Sequence, residues 1–402
     1  IKYPKMLNVV DTYVKSIYYR SMDRIPHINP TFDSKLAKAV FELEKLRYSE
    51  VSGSTPPWLF FDLKEIMHFL ESIASARIEG NRTTLVSAAD DVVNSGNGSD
   101  DESLLELRNI REGIDFIEKS VTAEAKIDLN MIRELHKITV QNLTEDGSKT
   151  PGKFRTEDVK IQKSTHKPPS HSVVKSLMSD LSDYINDDLG NQYDIIKIAI
   201  AHHRFTAIHP FDNGNGRTAR LITYAMLVRS GFIDNSIRLL NPSSIFCMDR
   251  NEYYKKLEKA DIGTKKELES WSLYVADGIL DEVTRVSKLL NKKYTVENIL
   301  LPVIKDARNN KHISDVEFEI LTIAMDKNLI QAADVRHLFG TTASARVQTS
   351  RILATMKEKG LIMSHPKSPN KYVIRFANNH LLGGVLKEMA ANGLLPATPD
   401  AI

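Results

Sequence analysis

The chain has 402 residues, 42% of them hydrophobic and 26% charged, with a formal net charge of +2. Such a length and composition suit a globular protein with room for two or three domains. The small net charge excludes a chain built as a whole to coat nucleic acid or an anionic membrane. A single cysteine, Cys247, excludes an internal disulfide and a cysteine metal cluster. It reads as a small buried apolar residue in a reducing compartment. With no signal-peptide core at the N-terminus and no apolar run long enough to cross a bilayer, a soluble cytoplasmic protein without a membrane partner is expected.

Strand-like alternation is scarce, helical periodicity is common and no internal repeat is present, so the expected fold class is all-α. The expected division is an N-terminal helical region over 1–100, a core over 101–290, a linker helix region over 291–313, a further domain over 314–380 and a tail over 381–402. In the first region Asp62 and Glu65 resemble a capping box at a helix start. Leu63, Ile66, Met67, Leu70, Ile73, Ala74 and Ile78 then recur on one stripe, and Gly80 is placed to end the helix as a left-handed cap. Ser75 and Glu79, four residues apart, share a face. The Gly, Ser and Asp-rich stretch from Asn94 to Ser103 reads as a loop.

Between Pro151 and Pro169, the sequence Val159-Lys160-Ile161 predicts a short extended or hairpin segment in a helical setting. Asp194 to Ile208 is apolar over a broad face and predicts a buried helix. Pro210 disfavours helical geometry at His209, so the helix should stop there. A second helix is expected from about Asn215 through Leu227, capped by Gly231.

Gly214-Asn215-Gly216 thus lies between two helices. Glycines there let the backbone approach a ligand and aim several N–H groups together, and the following helix N-terminus adds partial positive charge. The result is an anion site suited to phosphates. Arg217 and Arg220 are three apart on the next turn and can reach one anion from one side. Asp212, beside such phosphates, is a natural Mg²⁺ ligand. His209 can accept a proton from an attacking hydroxyl. Base, metal ligand, phosphate cradle and two cations are the equipment of phosphoryl or nucleotidyl transfer.

The string His209-Pro210-Phe211-Asp212-Asn213-Gly214-Asn215-Gly216-Arg217-Thr218-Ala219-Arg220 resembles the signature of the Fic family, with Ala219 where many members carry glycine. Ala201 to Ile208 resembles its lead-in, and the resemblance runs from about Leu63 to Leu280. It implies a helical Fic core with a short β-hairpin flap and a protein adenylyltransferase that moves AMP from ATP, with Mg²⁺, onto a Ser, Thr or Tyr hydroxyl of a protein, itself included. By the same resemblance His209 is the base and Asp212 the metal ligand. Phe211, Asn213, Gly214, Asn215, Gly216, Arg217 and Arg220 bind nucleotide, with Arg217 on the β-phosphate and Arg220 on the γ-phosphate. Val159, Lys160 and Ile161 form the flap that docks the target backbone by strand addition.

Ser75-Ala76-Arg77-Ile78-Glu79-Gly80 resembles the family's inhibitory motif, so Ser75, Glu79 and Gly80 are expected to restrain the enzyme, Glu79 by pairing with Arg220. The alternatives are removal of AMP with Glu79 orienting a water, and a nucleotide-sensing DNA-binding regulator. From Ser314, with Glu317, a capping box opens helical stripes ended by Gly340 and Gly360. Leu361 to Met363 and Tyr372 to Ile374 then read as strands about a turn at 366–370. This resembles a winged helix-turn-helix, with Arg346, Ser350 and Arg351 on its third helix and Lys367, Lys371 and Arg375 near the wing. DNA or protein contact is open for it. A homodimer is a further partner state that the reading admits.

Overall fold

The computed structural model describes residues 25–48, 54–93, 101–161, 164–233 and 240–395. Among the described residues the regular structure is helical apart from one small C-terminal sheet. Helix α1 is Lys35–Tyr48, α2 Pro57–Glu79, α3 Leu85–Val93, α4 Glu102–Ser120, α5 Leu129–Val140 and α6 His171–Asn186. The central pair is α7, Asp194–Ile208, and α8, Asn215–Arg229, followed by α9 Ser243–Met248, α10 Arg250–Ala260 and α11 Lys265–Val286. Helix α7 packs on α6, α8 and α11, and α8 packs on α2, α4 and α5.

The apolar run of α7 explains its central place. Ile195, Ile198, Ala199, Ala201, Phe205 and Ile208 are all at 1% exposure or less. Each buried aliphatic side chain of that size contributes about 1.5–3 kcal/mol, which no solvent-facing helix could recover. Trp271 of α11 also donates its indole N–H to the Ala199 carbonyl at 2.6 Å, so its one polar atom is satisfied in the core.

Helix α2 departs from expectation at its start. It begins at Pro57, after Pro56 in extended geometry, because proline is pre-shaped for a first turn. Asp62 and Glu65 therefore lie inside the helix and cap nothing. They accept instead from the far C-terminal segment: Arg375 Nε to Asp62 at 2.6 Å, the Phe376 amide to Asp62 at 2.6 Å, and Arg375 Nη2 to Glu65 at 2.6 Å. The expected end holds. Gly80 has φ +111° and its N–H returns to Arg77 at 3.0 Å. Of the loop read over Asn94 to Ser103, residues 94–100 lie outside the described residues. Residues 102 and 103 already belong to α4, with Asp101 as its side-chain cap. Cys247 is half-buried rather than buried.

Residues 292–300 form a short helical connection with a π-helical turn at Val296–Leu300. Then follow α12 Leu301–Asn309, α13 Asp315–Lys327, strand β1 Ile330–Gln331, α14 Ala332–Val335, α15 Ala343–Glu358, β2 Ile362–His365 and β3 Ser368–Ile374. The sheet order is β1-β3-β2, antiparallel throughout. The Ser314–Glu317 capping box opens α13, and glycines at 340 and 360 take positive φ where the elements end. The turn is tighter than expected, because β3 already starts at Ser368 with an irregularity at Ser364/His365. Residues 382–391, expected as part of a tail, form helix α16 (Leu382–Ala391) against α3 and α12. Arg375, expected in a basic wing, is committed to α2.

Candidate active site

Helix α7 ends where Pro210 requires, and His209 takes φ +50°, ψ +60°. That left-handed geometry is costly for a residue with a Cβ and persists only where neighbours enforce it. Arg155 is the enforcer. It is 5% exposed, donates Nε to the His209 carbonyl at 2.9 Å and Nη2 to the Pro169 carbonyl at 2.5 Å, and its amide donates to the Pro210 carbonyl at 2.9 Å. Burial, the largest influence, lowers the His209 pKa to about 4. Its imidazole is therefore neutral near pH 7, the form that accepts a proton.

The loop from 210 to 214 is braced from inside. Asn215 Oδ1 accepts the Phe211 amide at 2.9 Å and Asn215 Nδ2 donates to the Phe211 carbonyl at 3.0 Å. The Phe211 ring is fully buried and stacks on His136 with centroids 3.7 Å apart. Phe211, expected to contact nucleotide, has its ring packed in the core and its amide and carbonyl each bonded to Asn215. The Asn215 side chain is likewise spent on the brace, which leaves its backbone N–H for the cradle. His136 Nδ1 accepts the Gly152 amide at 2.9 Å, so its Nε2 carries the proton and donates to the Asn213 carbonyl at 3.0 Å. Burial lowers its pKa to about 4, which keeps that tautomer neutral.

Gly214 has φ +71°, and a Cβ there would lie 2.5 Å from Val140 Cγ1, so only glycine fits. Its N–H donates to Asn213 Oδ1 at 2.7 Å. The first-turn N–H groups of α8 have no intrahelical acceptor and point out of the helix start. Glu79 Oε1 lies against Gly216, 2.1 Å from where a Cβ there would be.

Arg220 is bound at three points on α2. Its Nε donates to Ser75 Oγ at 2.8 Å, and its Nη2 donates to the Ser75 carbonyl at 3.0 Å and to Glu79 Oε1 at 2.7 Å. The Arg220 side chain is 2% exposed and that of Glu79 32%, so the carboxylate can leave without opening the core. Burial alone would raise the Glu79 pKa. Arg220, with Arg217 and Arg250 behind it, outweighs that and holds it below the usual carboxylate range. Gly80 ends α2 directly beyond the pair.

Asp212 is exposed. Its Oδ1 accepts from Ser148 Oγ at 2.5 Å and from the Asn213 amide at 3.0 Å, and its Oδ2 accepts from the Lys149 amide at 2.9 Å. Among the described residues no group of three or more His, Cys, Asp or Glu side chains is arranged to hold a metal. A lone fixed carboxylate beside a phosphate cradle nevertheless fits Mg²⁺, which takes one or two carboxylates and fills its sphere with phosphate oxygens and water.

Arg217, 2% exposed, reaches Glu106 of α4 at 3.0 Å and the Asp146 carbonyl at 2.7 Å. Lys160 is exposed, and Val159 and Ile161 are half-buried. The expected hairpin is absent among the described residues, which form no ladder there. The turns before it and Arg155 hold the segment in place of cross-strand bonds. In 251–254, Tyr253 is a core residue whose hydroxyl meets His202 Nε2 at 2.9 Å, while Tyr254 is 42% exposed beside the end of α2.

The structure thus gathers a neutral histidine, a braced loop, a glycine-lined helix start and two buried arginines within one helix hairpin. Residues 126–227 match the Fic/DOC family. The chain is similar to the protein adenylyltransferase fic-1 of Caenorhabditis briggsae, 30% identical over 257 residues that cover 61% of this chain and 45% of the relative. It is 26% identical to the protein adenylyltransferase Fic of Nematostella vectensis over 261 residues, 64% of this chain and 56% of that one. The chain therefore spans about half the length of these curated relatives.

The fold is shared with a Fic family protein from Desulfovibrio desulfuricans G20, with a TM-score of 0.52 and 18% identity over 87% of this chain and 98% of that one. A Fic domain-containing signaling protein from Bacteroides thetaiotaomicron gives a TM-score of 0.51 at 18% identity, over 64% of this chain and 97% of that one. The Fic match contains His209 to Arg220, His136 and Arg155, whereas α2, with Ser75 and Glu79, lies before it. His136 and Glu106 were not singled out by the sequence, and Arg155 stood there only as the end of the string Pro151 to Arg155 that leads into the expected flap. Each is one polar residue without a spacing signature, and only the folded loop shows what it holds.

Proposed function

We propose that the chain is an autoinhibited protein adenylyltransferase that transfers AMP from ATP to a protein hydroxyl, its own among them. The observation that carries the reading is the hold of Ser75 and Glu79 on Arg220, at a helix start whose first-turn N–H groups lack intrahelical acceptors, beside a neutral His209. His209 takes the proton of the attacking hydroxyl as its oxygen bonds to the α-phosphorus. The bond from that phosphorus to the bridging oxygen breaks, and pyrophosphate leaves. The loop from Gly214 to Gly216 cradles the α- and β-phosphates, with the Gly214 N–H first giving up its bond to Asn213 Oδ1, Arg217 meets the β-phosphate, and Arg220, once released, meets the γ-phosphate. Positioning and charge neutralisation supply most of the acceleration. Asp212 would hold Mg²⁺, which would supply charge neutralisation at the phosphates. Val159 to Ile161, without a ladder partner among the described residues, would receive the target backbone by strand addition.

The three helices and the β1-β3-β2 sheet of residues 314–374 support a winged helix-turn-helix. The exposed Arg346 and Arg351 on α15 make electrophoretic shift with DNA the assay for its partner. No described helix is long and apolar enough to cross a membrane. The decisive experiment incubates the protein with α-labelled ATP, Mg²⁺ and a lysate of its source cells, beside His209→Ala. Label in protein bands with the parent and none with the variant is the expected result. Label from both removes His209 from the mechanism, and label from neither, after Glu79→Gly as well, removes the reading.

A further inference from the structure

Arg217 is held differently from Arg220, and its holder lies outside α2. Glu106 is 4% exposed on α4, with Oε1 3.0 Å from Arg217 Nη1. The pair is close but poorly aligned. Arg217 Nε and Nη1 and Glu106 Oε1 are all buried without a hydrogen-bond partner. Charge is thus neutralised while donors on the guanidinium stay unspent, which is costly in a dry site unless an acceptor arrives.

The surroundings fix this arrangement. Glu106 Oε2 accepts from Asn81 Nδ2 at 2.8 Å, and Asn81 also donates to the Ser103 carbonyl at 2.9 Å. Glu102, one turn before Glu106, accepts the Thr144 and Glu145 amides at 2.6 and 2.8 Å. It thereby clamps the loop whose Asp146 carbonyl takes Arg217 Nη2 at 2.7 Å. Ser148 and Lys149 of the same loop hold Asp212. The two acidic residues at the start of α4 therefore set both a cation and a carboxylate of the site. They do so from an element packed on α8.

We propose that Glu106 is a positioning residue: it fixes the Arg217 guanidinium beside the cradle with free donors, pre-organised for the charge that grows on the leaving pyrophosphate. The proposal rests on the adenylyl-transfer reading. Pre-organised donors matter most in the transition state, so loss of the hold should appear in kcat more than in KM for ATP.

The test uses the full chain carrying Glu79→Gly as parent, then Glu106→Gln, Arg217→Ala and the pair together. Glu106→Gln keeps the shape and removes the charge. It should lower kcat about tenfold with little change in KM. In the Arg217→Ala background the same change should have no further effect, since Glu106 acts through Arg217. Asn81→Ala, at a half-buried position, frees the second carboxylate oxygen. It should lower kcat by about threefold, in the same direction as the loss of an outer hydrogen bond to a site group, and it decides the matter if Glu106→Gln does not fold. Unchanged kcat in both variants, a pure KM effect, or an effect that persists in full without Arg217 overturns the proposal. A parent that transfers nothing fails before any variant is compared and overturns the transferase reading, and this proposal with it.

Discussion

Glu79 and Gly216 meet so closely that a Cβ built on Gly216 would lie 2.1 Å from Glu79 Oε1. An anion from α2 thus already rests at the start of α8, where a phosphate would be received, and the absence of a side chain at 216 makes room for it. The same carboxylate binds Arg220. One carboxylate thus sits both beside the helix start and on the cation, and removing it should free both.

Glu79→Gly is accordingly expected to raise AMP transfer, self-modification included. A charge-assisted hydrogen bond contributes about 1.5–3 kcal/mol, so a gain of roughly tenfold or more is expected. Arg220→Ala added to Glu79→Gly should cancel the gain. The measurement is label transferred from α-labelled ATP in the presence and absence of a target. Equal rates in parent and variant would remove Glu79 from inhibition. Loss of AMP removal from a pre-modified target in the same variant would show that Glu79 also serves the reverse direction.

His209 predicts a pH profile. With its pKa lowered to about 4 by burial, the imidazole stays deprotonated from pH 8 down to about 5, so the rate of the Glu79→Gly form should not fall across an ordinary histidine titration near 6.5. A decline belongs nearer pH 4. An acid limb centred at 6.5 in kcat/KM would show that the base is more open to water than this geometry allows.

Much of this was legible in the chain. The α7–loop–α8 hairpin follows from an apolar run, a proline after His209 and two glycines, all local signals that tertiary contacts reinforce. Ser75 and Glu79 could be placed on one face by spacing alone. The failures share a cause. Asp62 and Glu65 have capping-box spacing, but their partners, Arg375 and Phe376, are more than 300 residues away in the chain. Phe211 stands in a ligand loop, yet its ring is claimed by His136 from another helix. Local pattern fixes which residues share a face, and only packing decides what that face meets.

Asp212→Ala is expected to lower transfer strongly and to raise the Mg²⁺ concentration for half-maximal rate. Its Ser148 and Lys149 contacts show a carboxylate already oriented, so the loss is of a placed ligand and not of a mobile charge. Coincident Mg²⁺ titrations of variant and parent would exclude it as a ligand.

Arg375→Ala should destabilise the protein by roughly 3 kcal/mol, because removing one member of a buried pair strands the other. Asp62 is 2% exposed and would keep only the Phe376 amide. Adding Asp62→Asn should recover part of the loss, since no buried charge remains. Thermal unfolding of the single and double variants measures this, and a double variant less stable than Arg375→Ala would refute the stranded-charge account.

Glu71 is a buried carboxyl that titrates with folding. It lies on α2 one turn before Ser75, is 1% exposed, and accepts from the Ser243 amide at 2.8 Å and from the Ser243 hydroxyl. Burial, opposed by those bonds and by Arg220, raises its pKa from 4.5 to about 7. The sign follows from proton linkage. Between pH 4.5 and 7 the folded protein binds more protons at this site than the unfolded chain, so the contribution to stability is full below 4.5 and is lost as pH rises through 7. Over that span the change amounts to about 3 kcal/mol. Glu71→Gln cannot titrate. The Tm of the parent minus that of Glu71→Gln should therefore fall steadily as the buffer is moved from pH 5 to pH 8 and then level off. A difference that stays constant across that range would mean Glu71 is already ionised at pH 5 and that its contact with Ser243 outweighs burial.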